Sequence, residues 1–282
     1  MLTHSDLASL SSRDRIHLCE WHEHNKRKVR VLATRQNRLV SLPELVIDGA
    51  SVVIVGQFNP ATITPGSLAG EGLLGKDEAL SATSPILTPR ISVFDAAWLH
   101  CEATDNRLLF STVEPLEFVR LCDVAAGVLS TFSPMLVSAL GLNRSVHFPV
   151  ASRAEWDAIG DTLVPKSDWE NLLTLPGTKT VALMGVRPDD FVGHIQITIE
   201  PSFRMEPGVL GIYVDHNDHY ALKKTEAQPS TREEFGSLLQ TASVAPSAAL
   251  VPMAKEVIMS HWQDSMARAE RAIENVWQMR GR

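Results

Sequence analysis

An α+β fold is predicted: a mainly antiparallel sheet, helices packed on one of its faces, and a long amphipathic helix at the C-terminus. Three observations predict it. Strand-like segments arrive in hairpin clusters instead of alternating strictly with helices, which favours antiparallel pairing. In "FVGHIQITIE", His194, Gln196, Thr198 and Glu200 alternate with Gly193, Ile195, Ile197 and Ile199. That period of two marks a sheet that is wet on one face and covered on the other. Near the end of the chain, Ile258, Trp262, Met266, Ala269, Ile273 and Val276 recur at three- and four-residue spacing, the stripe of an amphipathic helix.

The elements follow in order. Residues 1–45 are expected to form a basic N-terminal arm, with Ser12-Arg13-Asp14 capping a short helix that runs to about His24. "LVIDGASVVIVGQF" is either one strand or a strand pair that turns at Asp48-Gly49. Residues 60–90 are rich in Pro, Gly, Ser, Thr and Ala with weak periodicity, so a long loop is expected, either functional or mobile. "RISVFDAAWLHC" and "RLLFSTV" flank Ala103-Thr104-Asp105-Asn106 as a hairpin. Pro115 then opens a helix, because its missing N–H costs nothing in the first turn. Apolar residues from Leu116 to Phe132 surround that helix, so it should be well buried.

The second half opens on the strand "VSALGLNRSVHFPV". Capping boxes at Ser152-x-x-Glu155 and Ser167-x-x-Glu170 predict two short helices, stapled to the sheet by Trp156 and Trp169. A meander follows, "KTVALMGV", "FVGHIQITIE" and "VLGIYV", with a turn at His216-Asn217-Asp218. "PSTREEFGSLLQ" starts a capped helix at Ser230 or Thr231. The last helix runs from about Pro252 to Arg280 and, at roughly 28 residues, is about 42 Å long. The expected organisation is a 1–45 arm, an α+β body over 46–245 and a helical segment over 246–282. The body divides into two related halves near 46–133 and 134–245, without a residue-level repeat.

Composition narrows the function classes. With 44% hydrophobic and 21% charged residues over 282 positions, the chain can bury an ordinary globular core. It has no apolar run of membrane-spanning length and its start lacks a hydrophobic signal region, so a cytoplasmic protein with no membrane association is expected. Cys19, Cys101 and Cys122 are widely spaced and fit reduced, buried thiols better than a disulfide or zinc framework. Residues 1–38 hold eight Lys/Arg against four acids, a net +4; the whole chain carries −7, which leaves −11 on the remainder. A basic arm on an acidic body can contact nucleic acid through residues 13–38, or dock on an acidic partner.

The strand "VVIVGQFNP" ends in Gly56, Phe58, Asn59 and Pro60. These residues resemble the adenylyltransferase family, whose first strand ends in a Gly-x-Phe-Asn/Asp-Pro loop followed by His-x-Gly-His. The resemblance implies a glycine that lets phosphates approach closely and histidines that stabilise the charge developing on them. Here the two histidine positions carry Thr62 and Pro65, and Thr64 replaces the intervening glycine; "PSTREEF" is similar to the family's late helix-start element. The family's Rossmann-like fold needs parallel βα alternation, which this chain lacks. The same residues also read as a buried strand ending in an Asn-Pro turn.

Other polar groups cluster along the sequence. "YVDHNDHYALK" concentrates Asp215, His216, Asp218 and His219, types that bind a divalent metal or run acid–base chemistry when they converge. Adjacent strand residues point to opposite faces, and Asn-Asp is also good turn chemistry. Arg144, His147, Asp161, Lys166, Asp168 and Glu200 are further candidates for one concave polar surface. No G-x-S-x-G, H-E-x-x-H, P-loop or paired C-x-x-C is present. The leading expectation is therefore a non-catalytic interaction or scaffold protein without cofactor or metal. It would self-associate or bind a protein partner through its sheet face or its C-terminal helix, with Ile258, Trp262, Met266, Ile273 and Trp277 as helix anchors. The alternative is an enzyme or sensor for a nucleotide or phosphorylated ligand at the 56–68 loop, using Gly56, Asn59, Arg144, His147, Glu200, His216 and His219. A nucleic-acid accessory protein is the third reading.

Overall fold

The structure, a computed structural model, describes residues 42–281 apart from Ser133. The predicted helix before His24, the +4 segment and the nucleic-acid contact through residues 13–38 lie outside the described residues. From Leu42 onward the chain is α+β, built on one antiparallel sheet of nine strands. These are β1 (Ile47–Gln57), β2 (Thr83–Leu87), β3 (Ile91–Ala96), β4 (Leu99–Thr104), β5 (Arg107–Thr112), β6 (Leu136–Pro149), β7 (Val181–Val186), β8 (Phe191–Pro201) and β9 (Gly211–Lys224). Six helices accompany them: α1 (Pro65–Gly70), α2 (Lys76–Leu80), α3 (Phe118–Thr131), α4 (Arg153–Leu163), α5 (Arg232–Thr241) and α6 (Val251–Gln278).

The strand order is β2-β3-β4-β5-β1-β6-β9-β8-β7. A first strand, a helical excursion, a three-strand meander and a closing helix occur twice: β1, α1–α2, β3-β4-β5, α3, and then β6, α4, β7-β8-β9, α6. In each set the last meander strand pairs back onto the first strand. The two first strands, β1 and β6, pair at the centre, with Val52 opposite Leu142.

Alternation decides which face is covered. Ala50, Val52 and Ile54 of β1, Leu108 and Phe110 of β5, and Leu140 and Leu142 of β6 are buried with α3, α1 and the first half of α6 in one apolar cluster. Val146, Phe148, Ile199, Ile212 and Val214 form a second cluster with Ile159 of α4 and Ile273 and Val276 of α6. Helix α6 therefore bridges both clusters. Its predicted stripe is the face by which it docks: Ile258, Trp262 and Ile273 are each less than 5% exposed.

Several expectations change. Asp48-Gly49 does not turn; β1 runs through it, and Asp48 is held by Arg144. Residues 60–90 are ordered as helical turns and β2 instead of one long loop. Asn59 accepts from the Ala61 N–H at 3.2 Å, and Thr64 and Ser67 cap α1 reciprocally. Pro60, Ile63, Pro65 and Leu68 anchor this stretch by burial. "RISVFDAAWLHC" is two strands joined at Ala97-Trp98, where Ala97 takes φ 52°, a conformation no Gly or Asn announced. Ser167-x-x-Glu170 caps no helix and Trp169 is 48% exposed. Instead Lys166 closes the C-terminus of α4, donating to the Gly160 and Val164 carbonyls. His216-Asn217-Asp218 forms no turn but lies mid-strand in β9.

Candidate functional site

Strand parity splits the polar residues into two groups, one on each side of the sheet. On the side away from the apolar clusters, cross-strand partners form a row spanning all nine strands. It runs Thr83, Asp95, His100, Ser111, Ser51, Asn143, Asn217, Gln196 and Met184, each opposite the next. Eight of these nine are polar, which explains why this face stays wet. At its centre lies a hollow of about 570 Å³. Its floor is Gly49, Ser51, Ser111, Asn143, Ser145, Asp215 and Asn217, and the Ala97–Trp98 turn forms one wall. Asn143 Nδ2 donates to Ser51 Oγ at 3.0 Å. The buried Oδ1 atoms of Asn143 and Asn217 have no hydrogen-bond donor among the described residues.

Along the strands on this face, Asp215 is flanked by Tyr213, whose ring lies tilted against that of His147 at 4.6 Å between centroids. Burial pushes the Asp215 carboxyl above the usual carboxylate range; the Tyr213 hydroxyl opposes this and the Glu200 charge adds to it. The Tyr213 hydroxyl is itself pushed up to about 12, by burial and by Asp215. Glu200 accepts from Thr180 Oγ1 at 3.0 Å, and His147 Nδ1 pairs with Ser202 Oγ at 2.8 Å. Two strand positions away from Asn217, His219 stacks on His194 at 4.8 Å.

Beneath the sheet, between the two apolar clusters, lies a belt of buried charge. The Asp218 carboxylate accepts from both Arg187 and Arg268 of α6. The Arg187 side chain is fully buried; its guanidinium sits 3.4 Å from the Tyr220 ring centroid and also bonds Asp189 at 2.5 and 3.0 Å. Burial works against the charges of Arg187 and Asp189, yet their pairing wins: the arginine is held above its ordinary range and the aspartate below. Arg144 makes a bidentate pair with Asp48, both contacts at 2.9 Å. The pairs on Asp218 tie β9, the β7–β8 turn and α6 together, and the Arg144–Asp48 pair ties β6 to β1.

The candidates taken from the sequence do not converge. Arg144 and His216 lie on the helix-covered face; His147, Glu200 and His219 lie on the open face. Gly56 sits at a bulge of β1 where a Cβ would meet the Leu136 carbonyl oxygen at 1.9 Å, so strand packing accounts for this glycine. Asn59 is a helix cap. Both "nucleotide-loop" residues are thus used by the fold itself. Of the five helix anchors, Ile258, Trp262 and Ile273 are buried in the core, while Met266 and Trp277 pack against it. Asp161 pairs with Lys166 at 3.1 Å, a contact of the α4 terminus. Among the described residues no group of His, Cys, Asp and Glu is arranged to hold a metal ion, and no helix is long and apolar enough to cross a membrane.

The central residues of the hollow, Ser51, Ser111, Asn143 and Asn217, carry no motif. Their signal is parity alone, and it is plain only for Ser51, between Ala50 and Val52 in β1; in β9 residues 215–219 are polar on both faces. Arg187 stands in the Arg187-Pro188-Asp189-Asp190 turn between β7 and β8, and its burial goes with its pairing to Asp218, 31 positions later. Comparison with protein-family models and with curated proteins returned no match for this chain.

Proposed function

We propose that this protein is a non-catalytic interaction protein that receives a protein partner on the open face of its nine-stranded sheet. One observation carries the reading: eight polar residues form a series across the face that no helix covers among the described residues, and its central hollow is floored by residues from several strands. Strand-borne groups are held rigidly, which suits recognition of a shaped partner. The other surface available for assembly, the α6 stripe, is taken up by the protein's own core. The candidates taken from the sequence are split between the two faces of the sheet, which favours binding over catalysis by them, since acid–base chemistry needs its groups within reach of one reacting atom.

A photo-crosslinking residue placed at Ser111, on the open face, or at Met259, on the exposed back of α6, tests this in cells that express the protein. A discrete crosslinked product from position 111 and not from 259 is expected. Crosslinking from 259 alone, or from neither position, overturns the reading.

A further inference from the structure

We infer that the hollow on the open face is a cation subsite that receives the guanidinium of an arginine side chain on the partner protein. The inference rests on the proposed use of that face. Two carboxylates, Asp95 and Asp215, line the hollow, and no Lys or Arg does among the described residues. Asn143 and Asn217 line it beside Asp215, and the Oδ1 atoms of the two asparagines, which have no accessible surface of their own, lack a donor among the described residues. A donor seated in the hollow pairs with either oxygen once that asparagine side chain rotates toward it. The Asn143 amide nitrogen is already spent on Ser51.

The charge on this face has the matching sign. Its cross-strand positions carry four carboxylates, Asp95, Glu102, Glu200 and Asp215, against one guanidinium, Arg107, which is tied to Glu102 at 3.2 Å. Asp95 accepts from His100 at 2.7 Å, which leaves Asp215 as the carboxylate in the hollow with no cationic partner among the described residues. Its carboxyl is partly desolvated and has Glu200 as a like-charged neighbour. A cation seated there would relieve both penalties. Arginine fits better than lysine. Its planar group offers five donors in a fixed fork, and the acceptors stand on the adjacent strands β6 and β9 at neighbouring positions.

Titration of the full-length protein with acetyl-Gly-Arg-Gly-amide, followed by NMR of the Asn side-chain amides, tests the subsite. Lysine and citrulline versions of the peptide serve as controls. Shifts centred on Asn143 and Asn217 are expected, largest for arginine and absent for citrulline. Asp215→Asn keeps the shape and removes the charge. It should weaken arginine binding by about tenfold while leaving the thermal midpoint equal or higher, because a desolvated charge is gone. Equal binding of arginine and citrulline, no shift with any peptide, or an unchanged affinity in Asp215→Asn overturns the subsite.

Panning a random peptide library on the protein separates this failure from failure of the sheet-face reading. Peptides that lack arginine but are excluded by Ser51→Trp or Asn143→Lys overturn the subsite and leave the face as the binding surface. Peptides indifferent to both substitutions overturn both. Peptides rich in arginine and excluded by either substitution support both.

Discussion

His216 is 1% exposed, and neither of its ring nitrogens has a hydrogen-bond partner among the described residues. It stands in β9 opposite Arg144 on one side and Ile197 on the other, with Asp218, Arg268 and Arg187 nearby. Burial dominates and depresses the imidazole to about 4; Asp218 favours the charged form, while Arg268 and Arg187 disfavour it. The unfolded chain, with a histidine near 6.5, takes up the proton first. This contribution to stability is therefore complete above about pH 6.5 and is lost progressively as the pH falls toward 4, by about 3 kcal/mol in all. His219, also depressed to about 4 by burial, adds a similar loss in the same window. His216→Phe should remove one of the two contributions, flattening the acid limb while changing neutral-pH stability much less. Urea unfolding between pH 4 and 7.5 measures it, and an unchanged slope would mean that His216 is already solvated or paired. The sequence marks this histidine only as part of a polar cluster. Parity separates it from Asp215 and His219, but its depth depends on α6, whose Arg268 reaches Asp218 from 50 positions later.

Helix α6 was legible as an element and misleading as a surface. Its stripe spacing and length follow from sequence periodicity, and 28 residues form the helix from Val251 to Gln278. Periodicity shows that one face is apolar but not what covers it. Here the cover is the protein's own sheet, with Ser265 and Arg268 crossing the charged belt between the two apolar clusters. Removing residues 253–282 should therefore not yield a folded protein with a lower oligomeric state. It strips Val257, Ile258 and Trp262 from one cluster and Ile273 and Val276 from the other, and leaves Asp218 without Arg268. Each large buried side chain is worth about 2–5 kcal/mol, so the sum exceeds the stability of an ordinary domain. Circular dichroism and gel filtration should find the truncated chain unfolded or aggregated; a folded, monodisperse product would contradict this role. Asp105-Asn106 announces the β4–β5 turn in the sequence, whereas Ala97 at the β3–β4 turn carries no turn signal. The Asn-Asp pair in β9 misled in the opposite sense: cross-strand pairing on both sides of residues 217–218 outweighs local turn preference.

At the scale of the whole molecule, the two sets of strands share one hydrogen-bonded sheet, and the larger apolar cluster draws on both. Phe191, Tyr220 and Leu222 of the second set lie in it beside Phe94, Phe110 and Val52 of the first, with α3 and α6 packed together above. The smaller cluster belongs to the second set alone and is joined to the larger by α6 and by continuous β6 and β9. Neither set can shed its neighbour without exposing apolar area and breaking the pairing of β1 with β6, which covers eleven residues of β1. Nor can α6 detach from one cluster without dragging Arg268 from the fully buried Asp218, which leaves a charge unpaired at a cost of about 3–5 kcal/mol. Residues 42–281 should therefore unfold in one cooperative step despite the repeated order of elements. Trp98 reports on the first set and Trp156 on the second, so variants keeping one or the other as the main fluorophore can be followed beside far-ultraviolet circular dichroism. Coincident urea midpoints for both probes are expected. Two separated transitions would show that the β1–β6 seam, with α6 across it, is weaker than its pairing and burial imply.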